Sequence, residues 1–63
     1  MHLKNLPKIR KQKGWSQEKL AHEAGISYNT LIKIERNGIK NPKIETVIKL
    51  AKALNIAVDE LLG

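Results

Sequence analysis

The chain has no cysteine and no phenylalanine, and only one tryptophan, one tyrosine and two prolines in 63 residues. Without cysteine there is no disulfide framework and no thiolate to serve as nucleophile or metal ligand, and nothing points to an oxidising compartment. Two histidines, His2 and His22, stand without cysteine or suitably spaced carboxylates, which argues against a metal site. The shortage of aromatics leaves a 41% hydrophobic fraction made almost wholly of Leu, Ile, Val and Ala, material for a small aliphatic helix cluster. No apolar run approaches the roughly 20 residues that span a bilayer, and the charged stretch from Met1 to Arg10 lacks the apolar centre of a secretion signal. A soluble, cytoplasmic protein is expected.

Acidic residues are also few. Six Asp and Glu face twelve Lys and Arg, for a net charge of +6, and the sequence pI is near 9.9. The imbalance is uneven along the chain: residues 1 to 52 hold all twelve bases and four acids, whereas 53 to 63 hold two acids and no base. Positive potential is therefore kept away from the C-terminal end, as expected if that end faces something other than phosphate. A chain of 63 residues has room for one domain, 1–63, which buries about 60% of its unfolded surface. An enzyme-sized cleft is not expected. Ser27, His22 and Asp59 can be written down as a triad, but nothing encodes the oriented base and oxyanion site that a nucleophile needs.

What the chain does have is helical punctuation. The spacing predicts five helices with short connections. Asn5 is a cap for the first, with Pro7 in its opening turn, where a missing N–H costs nothing. Met1 to Lys4 then form a loose arm. Leu6, Ile9 and Lys13 mark the first stripe, and Gly14 ends it. Trp15 stands before the cap Ser16 in a hydrophobic-staple relation to Leu20, a structural role that accounts for it. Leu20, Ala21 and Ala24 share an apolar face, and the small alanines allow a close crossing by the next helix. Gly25 supplies the left-handed residue of a sharp turn, Ile26 folds beneath it and Ser27 caps the third helix, whose Leu31 and Ile34 point inward. That helix stops near Asn37 and Gly38. Ile44, Val47, Ile48, Ala51 and Leu54 define the core face of the fourth helix. Asn55 ends it, and Ile56, Val58, Leu61 and Leu62 form a last apolar element, with Asp59 and Glu60 near its start.

Residues Gln17 to Arg36, QEKLAHEAGISYNTLIKIER, thus read as two short helices hinged on Gly25. With Gln17 opening the motif, then Ala21, Gly25, Ile26, Leu31, Ile34 and Glu35, the segment resembles the phage repressor and Cro-like (XRE-like) helix-turn-helix family. The resemblance extends over nearly the whole chain, since Lys40 to Leu62 is similar to that family's fourth and fifth helices. It implies an all-α, five-helix, lambda-repressor-like DNA-binding domain with the helix-turn-helix at about 17–36 as its second and third helices. It also implies a transcription regulator, most naturally a repressor that occludes a promoter, working without cofactor or metal.

On the third helix, Tyr28, Asn29, Ile32, Lys33 and Arg36 fall within an outward arc of about 140°. Asn29 can bond adenine at N6 and N7, and Lys33 can donate to guanine O6 or N7. An exposed Asn and Lys can equally be ordinary solvated residues, and only their place in the motif raises them. Tyr28 can meet a phosphate, a sugar or a thymine methyl. Ile32 either contacts thymine methyls or packs sideways on a neighbouring element. Ser16 and Gln17 open the second helix, where free N–H groups attract anions, and the family's matching Gln binds the DNA backbone. The resemblance sets Arg36, Asn37, Lys40, Asn41 and Lys43 along a second phosphate stretch, the alternative being a solvated polar loop. The stretch between Glu35 and Pro42 is one residue longer than the family's commonest form.

Arg10 and Glu35 resemble a pair that in this family bridges the first helix to the end of the third, either buried or on the surface. Dimeric binding to a pseudo-palindrome is expected, with half-sites about 10 base pairs apart. The dimer contact is expected at Ile56, Val58, Leu61 and Leu62, unless those side chains are used in the core of one chain; little surface then remains, so the homodimer is expected to be weak away from DNA. Two rivals stand beside this reading. An antitoxin or controller protein of the same fold would bind a protein partner as well as DNA, and with the chain ending at Gly63 that partner would use the C-terminal face. A basic membrane-surface binder is disfavoured because the apolar faces cover one another.

Overall fold

Local chemistry sets five helices, which the computed structural model describes over residues 3–36 and 41–62: α1 Leu6–Gln12, α2 Gln17–Ala24, α3 Tyr28–Glu35, α4 Ile44–Leu54 and α5 Val58–Leu62. There is no strand among the described residues. Ser16 and Ser27 begin α2 and α3 from extended backbone, each hydroxyl accepting from the N–H three residues on, Lys19 and Thr30, at 3.0 Å. These bonds satisfy donors that the helix itself leaves open.

The same device ends three of the helices. After α1, α2 and α4 the chain passes through a left-handed residue, Gly14 (φ 75°), Gly25 (φ 70°) and Asn55 (φ 57°). The next residue donates back across the turn, Trp15 to Arg10 O, Ile26 to Ala21 O and Ile56 to Ala51 O, at 3.0 to 3.2 Å. Trp15, Ile26 and Ile56 then lie half-buried against the core, the apolar contact that accompanies such a helix stop. A Cβ added at Gly25 meets nothing within 4 Å, so Gly25→Ala carries only the backbone penalty. The expected loss is about 1–2 kcal/mol by urea unfolding, with Gly25→Asn costing less.

Leu6, Leu20, Leu31, Val47, Leu50, Leu54 and Leu61 are fully enclosed, joined by Leu3, Ala21, Ala24, Ile34 and Ala51. α2 packs on both α3 and α4, and α4 on α5. Ala21 and Ala24 are the small residues at the α2 crossing.

Four expectations are corrected. Met1 and His2 lie outside the described residues, but Leu3 is no part of a loose arm: it is 3% exposed, and its carbonyl accepts from Leu6 N at 3.2 Å. Asn5 makes no side-chain cap; its Nδ2 donates instead to Glu60 O at 3.0 Å, tying the start of α1 to α5. Lys13 is exposed, and the inward position on α1 is taken by Arg10. On α4, Leu50 is buried whereas Ile44 is 55% and Ile48 40% exposed. The core face is Val47, Leu50, Ala51 and Leu54, turned by roughly 50° from the expected stripe.

Candidate nucleic-acid interface

The core turns α3 so that Leu31 and Ile34 are buried while Tyr28, Asn29, Lys33 and Arg36 stand exposed, with Ile32 half-buried among them. The predicted arc is thus a single surface of one helix. Thr30 lies about 60° outside it by helix geometry, its hydroxyl accepting from Ser27 Oγ at 2.9 Å. Short, capped at its start and pinned along its inner face, α3 presents a donor amide, two cations and a phenol from a backbone fixed on the far side.

At the base of α3 the structure gathers residues from three helices. Arg10 Nε of α1 donates to Glu35 Oε2 at 2.7 Å and Nη2 to Oε1 at 3.1 Å. The side chains of this pair are 9% and 6% exposed, so it is a buried, forked ion pair. Arg10 Nη1 donates to Trp15 O at 2.7 Å, holding the link between α1 and α2. Gln17 Nε2, at the first position of α2, donates to Glu35 Oε1 at 2.9 Å. No buried side-chain nitrogen or oxygen among the described residues lacks a partner.

The α2 start also draws positive charge. Lys13 and Lys19 hold their ammonium groups 5.3 and 5.7 Å from the centre of the Trp15 ring, within range of its negative face. Sequence reasoning treated Trp15 as a staple alone, placed Lys13 on the stripe of the first helix and did not single out Lys19. Their spacing around one tryptophan, two residues before and four after, was the available signal. The bond from Gln17 to Glu35 was missed too; the signal was the capacity of a carboxylate to accept more bonds than one arginine fills.

On the other flank, Thr30, Ile34, Asn41, Pro42, Lys43 and Thr46 line an open cleft of about 370 Å³ between α3 and the start of α4. Lys43 is the N-cap of α4, and its own side chain makes no capping bond. Asn37 and Lys40 lie outside the described residues, while Asn41 and Lys43 are exposed. Among the four residues expected at a dimer contact, Leu61 is wholly enclosed within its own chain and offers no surface. Ile56 and Val58 are half-buried on the core, and Leu62 is 38% exposed.

A helix-turn-helix family profile matches residues 8–61. The chain belongs to the XRE-like helix-turn-helix family. Within that family, the HTH-type transcriptional regulator SinR of Bacillus subtilis (strain 168) is 39% identical over 57 residues, 90% of this chain and 51% of SinR. The cryptic phage CTXphi transcriptional repressor RstR of Vibrio cholerae is 36% identical over 55 residues, 87% of this chain and 49% of RstR. A crystal structure of SinR, the master regulator for biofilm formation, in complex with DNA superposes with a TM-score of 0.92 at 36% identity, covering all of both chains. The chain spans about half the length of the curated relatives it matches. No helix of the described residues is long and apolar enough to cross a membrane, and no cluster of three or more His, Cys, Asp or Glu among them could hold a metal.

Proposed function

We propose that this helix-turn-helix chain is a sequence-specific DNA-binding module of a transcription regulator, acting in the cytoplasm as a repressor. Its role is binding, not catalysis. The observation that carries the reading is the outer face of α3, where Tyr28, Asn29, Lys33 and Arg36 are exposed together on a helix pinned from behind by Leu31 and Ile34. Such a helix fits the B-DNA major groove, where Asn29 reads adenine, Lys33 reads guanine, and Tyr28 and Ile32 meet sugar or thymine methyl groups. Ser16 and Gln17 at the start of α2 grip one phosphate stretch. Arg36, Asn37, Lys40, Asn41 and Lys43 grip another, beside the start of α4. Two copies bind a pseudo-palindrome with half-sites about 10 base pairs apart, so that both α3 helices enter successive grooves on one side.

Selection from a random DNA library at about 150 mM salt, where nonspecific phosphate binding is weakened, tests this. A two-fold symmetric site is expected to emerge. Asn29→Ala is expected to lose about 1–3 kcal/mol of discrimination at one base pair of each half-site while leaving nonspecific affinity unchanged. Enrichment of the same site by Asn29→Ala, with equal preference at every position, removes Asn29 from the reading. Failure of the unsubstituted chain to enrich any site removes the sequence-specific function.

A further inference from the structure

Three N–H groups converge on the Glu35 carboxylate: two from Arg10, at 2.7 and 3.1 Å, and one from Gln17 Nε2, at 2.9 Å. A carboxylate gripped by arginine has only acceptors to offer. Gln17 can therefore meet it only with the NH₂ end of its amide, because the opposite orientation sets oxygen against oxygen. A free surface glutamine samples both orientations, and Glu35 removes that choice. Gln17 is half-buried, and one Nε2 hydrogen remains after the bond to Glu35. Arg10 completes the arrangement: its fork neutralises the carboxylate, so the amide is oriented without a net negative charge at a surface that is to attract phosphate.

We propose that Glu35 is a positioning residue for the DNA-backbone contact of Gln17, fixing the amide so that its second N–H is held ready for a phosphate oxygen. The buried pair thereby does more than join α1 to α3. It preorganises a donor at the start of α2, and ordering that side chain before binding lowers the entropy lost on binding. The inference rests on the proposal that the α2 start meets DNA phosphate. Because phosphate contacts carry no sequence information, the effect is the same on every duplex.

The test is a double-mutant cycle in DNA affinity, on a labelled duplex of about 20 base pairs and arbitrary sequence at about 50 mM salt, where phosphate contacts dominate. Gln17→Ala is expected to weaken binding about 5- to 10-fold, the size of one ordinary net hydrogen bond. Replacing the pair by apolar residues, Arg10→Met with Glu35→Leu, keeps the volume filled and generally preserves folding, which a cooperative melt checks. That variant is expected to lose a similar factor, and adding Gln17→Ala to it to change affinity by less than about twofold. A general loss of stability cannot make Gln17→Ala silent. Equal costs of Gln17→Ala in both backgrounds, or unsubstituted affinity for the apolar pair, overturn the proposal. A second readout needs no change at position 35: the Gln17 Nε2 protons, assigned by their loss in Gln17→Ala, are expected to be shifted and exchange-protected by NMR before DNA is added. Signals at the solvent-averaged position overturn the proposal as well. If the unsubstituted chain does not bind the duplex at all, the DNA reading falls first and takes this inference with it.

Discussion

Glu35→Ala is expected to remove most of the folding stability of the chain. The substitution strands the Arg10 guanidinium, 8% exposed, without its carboxylate. Breaking a buried pair by removing one partner costs about 3–5 kcal/mol, because the remaining charge is neither solvated nor paired. A domain of 63 residues has a total stability on the order of 3–9 kcal/mol. One side chain therefore decides most of the balance. Arg10 also holds Trp15 O, so Arg10→Ala loosens the link between α1 and α2 and is expected to cost at least as much. Circular dichroism in a urea series measures both. The double variant should be less damaged than the sum of its parts, since neither charge is then left alone. A coupling below about 0.5 kcal/mol places the pair with exposed ion pairs such as Lys19 and Glu23, which contribute about 0–1 kcal/mol.

The contrast between what was legible and what was not follows the range of the interactions. Gly25, Ser16 and Ser27 act within three to five residues along the chain, so their chemistry is written next to the structure that it makes. The same holds for Asn55, which tolerates the left-handed conformation that ends α4. The outer arc of α3 was equally readable, because a helix whose Leu31 and Ile34 are buried has only one direction left for Asn29 and Lys33. Asn5 looks like a cap by the same local logic, yet its amide goes to a carbonyl 55 residues away. No local rule anticipates that competitor. Leu3 precedes any periodic stretch, so its burial depends on where α1 lies against the rest of the core. On α4 both Ile44 with Ile48 and Leu50 with Leu54 have helical spacing, and the neighbouring helices select the second pair. Resemblance alone puts Gln17 forward as a phosphate contact, and its bond to Glu35 exists only once α2 and α3 are folded together.

Leu61 and Leu62 are neighbours with opposite expected effects. Leu61→Ala empties a fully enclosed site on a helix of five residues, and Leu-to-Ala changes of this kind cost about 2–5 kcal/mol. A helix this short does not persist without its packing. The substitution therefore removes α5 from the core, together with the Asn5 anchor on Glu60 O. Leu62, 38% exposed, is expected to shift unfolding by less than about 0.5 kcal/mol when cut to Ala. Its effect belongs to the proposed dimer, since Leu62 is the exposed member of the four C-terminal apolar residues and the surrounding acids keep that end away from phosphate. Leu62→Ala should therefore weaken binding to a duplex with two half-sites more than to one with a single half-site. Titrating both duplexes with the unsubstituted chain and with Leu62→Ala measures the difference. Equal losses on the two duplexes move the contact between copies away from α5, and the exposed Ile44 and Ile48 stripe on α4 becomes the surface to substitute next.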